Sequence, residues 1–187
     1  MHRRVRTLLG TGFAAAALGT AVLSSAAGAE GKEVRFDLVP SSPAIASCLP
    51  HARAEVKVDL TTEEDGFDQF RIRASGLVPN QSFTVFLLEK PGNPFGAAEY
   101  IGDFATDEYG QGRGKFRLIV EEAFASTLVG KDRVRAELNH VGFWFADPKG
   151  DDACIPGGGP VTPFDGDNEA GVQVMNSANA LPGAPLP

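Results

Sequence analysis

Strict alternation of apolar and charged residues is the feature of this chain that most restricts its fold. Between residues 54 and 60, alanine, two valines and leucine alternate with Glu55, Lys57 and Asp59, and a similar pattern covers residues 70–74. A period of two places the apolar side chains on one face of a β-strand and the charged ones on the other. These segments therefore fit half-buried strands of a sheet.

The complete pattern predicts an all-β domain, built as an antiparallel β-sandwich of about seven to nine strands. Prolines lie between the alternating segments, as expected where the strand N–H groups are needed for pairing. Residues 120–126 are expected to form a turn or two of helix instead. We predict strands at residues 33–38, 53–60, 67–74, 82–88, 98–104, 115–120, 132–138, 141–146 and 172–175, with a core filled by Phe67, Phe70, Phe83, Phe86, Phe104 and Phe116.

Residues 1–29 have the organisation of a secretory signal peptide. A basic start is followed by an alanine-rich apolar run over residues 8–23 and by the small-residue cleavage site Ala27-Gly28-Ala29. We therefore expect a secreted, extracellular protein that begins near Glu30. No later apolar run is long enough for a membrane helix, so no membrane anchor is expected. Residues 30–180 are predicted to form one sandwich domain and residues 181–187 a flexible tail.

The charge of the chain restricts its partners. The full sequence has a formal charge of −7, and removal of Arg3, Arg4 and Arg6 with the signal peptide leaves 14 basic and 24 acidic residues, or −10. Such a balance repels phosphate backbones, so nucleic acid is not expected as a partner. The expected partner is an unknown extracellular ligand or a component of the cell envelope.

Cys48 and Cys154 are the only cysteines. In an oxidising compartment, an even pair indicates a disulfide. The alternative is a metal site, because Cys48 and His51 have ligand spacing and His140 with Cys154 could complete four ligands. We predict the disulfide and no metal or cofactor.

A long segment over residues 147–171 is rich in glycine, proline and aspartate and is the first place to look for a site. Its acidic side chains are candidate calcium ligands, but their spacing lacks the glycine and the distal glutamate of an EF-hand loop. Solvated turn residues are the alternative that we favour. The acidic residues of this segment are Asp147, Asp151, Asp152, Asp165, Asp167 and Glu169.

The segment His140–Phe145 carries the candidate ligand-binding residues. Alternation places Val141, Phe143 and Phe145 on one face, and His140 and Trp144 on the other. If the first face is core, Trp144 is available to stack on a ligand beside His140. The alternative is that the following loop covers Trp144, since large aromatic residues are usually mostly buried.

Signals of catalysis are weak. The chain has no nucleophile elbow and no metalloprotease motif. The acidic groups at residues 63–65 and 121–122 are neighbours in sequence, which is more typical of solvated charge than of a glycosidase pair. We therefore expect no catalytic residues and a non-catalytic binding module. The alternatives are a structural or interaction protein without a small ligand, and a small hydrolase that uses acidic residues.

Two turn motifs carry a resemblance to known proteins. One is Gly76-Leu77-Val78-Pro79, which precedes a predicted strand, and the other is Thr106-Asp107 followed by the glycine-rich residues 108–114. The order of these turn motifs resembles that of uncharacterised secreted bacterial immunoglobulin-like and superoxide-dismutase-like β-sandwich proteins. The resemblance implies an immunoglobulin-like sandwich. It does not imply dismutase chemistry, because the paired strand histidines that the reaction requires are missing here.

Overall fold

The computed structural model describes residues 32–162, 168–178 and 185–187, so the predicted signal peptide lies outside the described residues. All strand pairs are antiparallel. Two short helices and two 3-10 turns connect the strands. The helices are α1 (Pro43–Cys48) and α2 (Thr62–Asp65), and the 3-10 turns cover Val120–Glu122 and Pro148–Ala153. The strands are β1 (Lys32–Pro40), β2 (Arg53–Leu60), β3 (Asp68–Ser75), β4 (Ser82–Leu88), β5 (Ala98–Ala105), β6 (Gly112–Leu118), β7 (Phe124–Val129), β8 (Asp132–Glu137), β9 (His140–Phe145) and β10 (Gln173–Asn176).

Eight strands pair in the order β5-β4-β9-β10-β1-β2-β3-β6, and β7 and β8 form a separate two-stranded sheet. Strand β1 joins two four-stranded halves, because most of it pairs with β2 while its last residues, Val39 and Pro40, pair with β10. The inward faces of both halves contribute to one apolar core. The prediction of an antiparallel, sandwich-like all-β fold is confirmed.

The core is built around phenylalanine. The ring of Phe83 lies 5.3 Å from that of Phe104 and 5.6 Å from that of Phe143, with centroids at the distances typical of aromatic pairs. Phe70 and Phe83 are fully buried. Of the six phenylalanines predicted to be interior, Phe70, Phe83 and Phe104 belong to this core and Phe116 packs against it, whereas Phe86 belongs to a second cluster and Phe67 is half-buried.

The segment after β6 corrects the expected helical turn. Only Val120–Glu122 is helical, as a 3-10 turn, and the chain then forms β7, which pairs with β8. Gly130, with φ of +67°, forms with Lys131 the two-residue loop between the two strands, a backbone conformation that glycine adopts readily. Most side chains of this hairpin are exposed; β8 lies within the strand predicted at residues 132–138, whereas β7 was not predicted.

The two turn motifs pack against each other. The N–H of Leu77 donates to the carbonyl of Gly110 at 3.2 Å, and the N–H of Asn80 donates to that of Asp107 at 3.1 Å. Gly110 has φ of +70°, and a Cβ there would lie 2.2 Å from the carbonyl oxygen of Leu77. Glycine is therefore required where the two loops touch.

Cys48 and Cys154 form a disulfide, as predicted, which links the end of α1 to the residue after the second 3-10 turn. The alternative metal site built from both thiols is thereby wrong. A disulfide indicates an oxidising environment. Among the described residues, no helix has the length and hydropathy needed to cross a membrane.

The end of the chain departs from the predicted flexible tail. Residues 181–184 lie outside the described residues, but Leu186 is buried and its N–H donates to the carbonyl of Asn139 at 3.1 Å. The apolar side chain of Leu186 joins the core, which corrects the expectation for this part of the tail.

Candidate functional site

Trp144, which the sequence suggested as a residue that stacks on a ligand, is fully buried. It is therefore not accessible to a ligand, and this prediction is corrected. The two faces of β9 are as predicted, with Phe143 and Phe145 in the main core and Trp144 on the opposite side. That side is covered, because the ring of Trp144 packs 5.3 Å from Phe86 and 5.1 Å from Phe95. Phe95 lies between β4 and β5, so a distant loop covers the face that the local pattern left open.

His140, the second candidate binding residue, has a structural environment. Its Nδ1 lies 3.1 Å from the hydroxyl oxygen of Ser177, which also accepts a hydrogen bond from the N–H of Val141 at 3.0 Å. Burial lowers the pKa of His140 below its ordinary value of 6.5. The histidine thus helps hold the start of β9 beside Ser177, and with Trp144 buried the two residues form no common binding surface.

The acidic loop uses its buried carboxylate to fix its own backbone. Asp151 is 1% exposed, and its two oxygens accept hydrogen bonds from the N–H groups of Gly159 and Val172, both at 3.1 Å. Asp147 accepts from the N–H of Lys149 at 2.9 Å and so begins the 3-10 turn. Asp165 and Asp167 lie outside the described residues. Across the residues that are described, no three metal-ligating side chains come together.

Both acidic groups singled out from the sequence are exposed at the surface. Glu63, Glu64 and Asp65 are exposed on α2, and the pair at residues 121–122 is exposed on the first 3-10 turn. A different pair, Asp37 and Glu55, is brought together by pairing of β1 with β2. These carboxylates lie side by side on an open sheet surface, where Glu55 forms an ion pair with Arg35 at 3.2 Å.

The outer face of β3 and β6 is strongly basic. Its outward side chains include no acid, although acids outnumber bases in the chain. We use the name cationic face for its five basic residues, which are Arg71, Arg73, Arg113, Lys115 and Arg117. Alternation identified each strand as half-buried, but the segregation of charge emerges only when β3 and β6, distant in sequence, pair with each other.

Register places like charges directly opposite one another on this face. Arg71 pairs with Lys115, and Arg73 pairs with Arg113. Like charges in such positions destabilise a sheet, by a few tenths to about 1 kcal/mol per pair. On its other side Arg73 lies opposite Glu55 of β2, so the uncompensated repulsion is that between β3 and β6, which an anionic ligand would relieve.

Acids on the neighbouring strands neutralise only one border of the face. Asp59 forms an ion pair with Arg71 at 2.6 Å. Burial raises the pKa of Asp59, but hydrogen bonds from Arg71 and Lys57 outweigh it and lower that pKa overall. Glu33 pairs with Lys57, and that hydrogen bond lowers the pKa of Glu33. Within the described part of the chain, the remaining four cations of the face have no carboxylate within 4.0 Å.

Two shallow depressions follow β3 and β6 and together contain all five cations. The larger has a volume of about 690 Å³; it is lined by Arg73, Arg113 and Arg53 and also by the acids Asp37, Glu55 and Asp107. The smaller, of about 310 Å³, includes Arg71, Lys115 and Arg117. Strand geometry spaces the charges by about 5 Å across the strands and about 7 Å along them. The cations therefore form an extended array rather than a single enclosed anion site.

Comparisons of the chain with protein families, with curated proteins and with solved structures find no match. The resemblance to secreted immunoglobulin-like and dismutase-like sandwiches therefore remains a prediction, and any function must be argued from the site itself.

Proposed function

We propose that this protein is a secreted, non-catalytic interaction protein that binds an anionic polymer of the extracellular space or cell envelope through its cationic face. The observation that carries the proposal is the group of five cations, without an outward acid, on two paired strands of an otherwise acidic chain. Burial of Trp144 supports the same direction, because the aromatic residue that the sequence offered for stacking on a small ligand is not accessible.

The chemistry of the face favours carboxylate, sulfate or phosphate groups repeated along an extended chain. Four of the five cations are arginines, whose planar guanidinium groups bind such oxyanions through paired hydrogen bonds. The outward side chains of β3 and β6 include no aromatic ring, and the nearby ring of Phe67 is covered by the guanidinium group of Arg117 at 4.6 Å, so the two strands offer no open stacking platform for bases. Negative charge elsewhere repels the same polymer, which restricts its contact to this face.

A matched pair of double variants tests this role. We use dextran sulfate as the probe, neutral dextran as the uncharged control, and measure binding by calorimetry at low and high salt. Arg113→Gln with Lys115→Gln removes two adjacent cations of the face. We expect binding to weaken by about tenfold or more, because each lost cation removes its own charge-assisted hydrogen bonds to the polymer. Lys90→Gln with Lys149→Gln changes the net charge equally at exposed sites elsewhere and should bind as the wild type does.

Two results would contradict the proposal. Equal weakening of both double variants would show that only net charge matters. Failure of the wild-type protein to bind dextran sulfate, polyphosphate and polyglutamate at low salt would show that the face has no affinity for polyanions.

A small hydrolase is the second candidate, because Asp37 and Glu55 lie side by side in the larger depression. The surface is open to water and Glu55 is paired with Arg35, which supports this candidate less well than binding. Release of reducing ends from polygalacturonate by the wild type, and its loss in Glu55→Gln, would favour the hydrolase. Absence of any release would favour the binding role.

A further inference from the structure

The hairpin of β7 and β8 leaves one strand edge without the usual protection. In the described structure β7 pairs only with β8, and this sheet has two strands. Two-stranded sheets have little stability of their own in water. Phe124 is 47% exposed, Leu128 61% and Val129 63%, so the hairpin presents apolar side chains to solvent, although Arg135 lies over one face of the Phe124 ring at 3.8 Å.

The two edge strands of the hairpin differ in their charge. Strand β8 contains charged residues at four of its six positions, which is a common protection against pairing with another strand. Strand β7, with the sequence Phe-Ala-Ser-Thr-Leu-Val, contains no charge and no proline. An uncharged edge strand with exposed apolar residues is the kind that accepts another strand.

We propose that β7 is a dimerisation edge, at which two copies of this chain pair antiparallel through β7 and join their hairpins into a four-stranded sheet. Only every second residue of β7 forms backbone hydrogen bonds with β8. Val129 and Asp132 close its two-residue loop, and Leu138 donates to Ala123 at the base. The backbone groups of Phe124, Ser126 and Leu128 therefore point to the free edge.

One register between the two β7 strands pairs all of these backbone groups and also places apolar side chains opposite each other. With Ser126 opposite Ser126 of the second copy, Phe124 faces Leu128 of that copy, and the reverse pair forms by symmetry. A two-fold interface of this kind is self-complementary. Apolar residues meet apolar residues in both outer pairs, so the exposed apolar surface of each hairpin becomes partly covered.

Charge complementarity supports a second copy as the occupant. The base of each hairpin carries exposed Glu121, and its tip carries exposed Lys131 next to exposed Asp132. Antiparallel pairing places the base of one hairpin beside the tip of the other, so Glu121 approaches Lys131 of the second copy. Within one chain the base and tip are roughly 20 Å apart along the strand, which is beyond effective attraction at physiological salt.

Analytical ultracentrifugation of the mature protein over micromolar to submillimolar concentrations tests the dimer. The wild type should show a monomer–dimer equilibrium. Ser126→Glu places two like charges opposite each other on the symmetry axis, while each faces Arg135 of its own hairpin, and should raise the dissociation constant roughly fivefold or more. Val134→Glu adds the same charge to an exposed position on β8 and should leave the dimer intact. Circular dichroism of each variant verifies that the fold is retained.

Charge reversal distinguishes this interface from other modes of association. Glu121→Lys and Lys131→Glu should each weaken the dimer, and the combined variant should restore it, because the exchanged charges again face each other between copies. A monomeric wild type at all concentrations would overturn the proposal. So would equal dissociation of the Ser126 and Val134 variants, or no restoration in the combined charge variant.

Discussion

Replacing Asp68 should destabilise the fold more than replacing any exposed acid of the same region. Asp68 is 1% exposed at the start of β3. One carboxylate oxygen accepts from the N–H of Thr61 at 2.9 Å and from the N–H and hydroxyl of Thr62 at 3.0 and 2.8 Å. The other accepts from the buried N–H of Val120 at 2.8 Å. A single side chain thus anchors the β2–β3 connection and the turn after β6.

The geometry predicts two graded effects. Asp68→Asn can keep the bonds to Thr61 and Thr62, but its NH₂ group then faces the N–H of Val120, and we expect a loss of about 2 kcal/mol for one buried donor without an acceptor. Asp68→Ala removes every acceptor, and we expect a loss of about 4 kcal/mol. At about 2–4 °C per kcal/mol for a domain of this size, the alanine variant should melt roughly 8–16 °C lower.

Urea denaturation followed by the fluorescence of Trp144, the only tryptophan, measures both effects. Asp65→Asn is the matched control, because Asp65 is exposed on α2 in the same connection, and we expect a change within about 0.5 kcal/mol. An alanine variant at position 68 that loses less than about 1 kcal/mol would refute the reasoning.

Three further predictions concern the disulfide, Trp144 and His140. Replacing Cys48 and Cys154 by serine should lower the free energy of unfolding by about 4–5 kcal/mol in urea titrations, because the bond closes a loop with a sequence separation of 106. Trp144→Ala should lower it by about 3–5 kcal/mol, and acrylamide should quench the folded wild type poorly, since the ring is fully buried. Burial lowers the pKa of His140 below 6.5, so the unfolded chain binds more protons and stability should fall as the pH drops below about 6.5. Urea titrations at several pH values should show a weaker acid effect in His140→Gln.

Sequence reasoning located most strands because burial imposes a clear pattern on them. The predicted bounds of β2 and β4 agree with the structure residue for residue. Strand β7 was not predicted, because its sequence Phe-Ala-Ser-Thr-Leu-Val does not alternate apolar with charged residues and its first residues were assigned to a helical turn. Helix α1 is too short to show helical periodicity, although the pair Ser42-Pro43 is a start signal: the Ser42 hydroxyl accepts from the N–H of Ile45 at 3.2 Å.

The candidate site was harder to predict because it depends on contacts between distant segments. Alternation placed Trp144 on the correct face of β9 but contains no information about the loop with Phe95 that covers it. The cationic face depends on pairing of β3 with β6, which places Arg73 opposite Arg113. The net charge also gave no indication of this face, because one value for the whole acidic chain hides a local excess of basic residues.

Mapping a polyanion onto the protein tests the central proposal most directly. In a titration of the ¹⁵N-labelled protein with short dextran sulfate chains, the largest amide shifts should occur in residues 71–73 and 113–117. These shifts should diminish as salt is added, because exposed charges are then screened. Shifts concentrated in the loop over residues 147–162, or no shifts at low salt, would contradict the account.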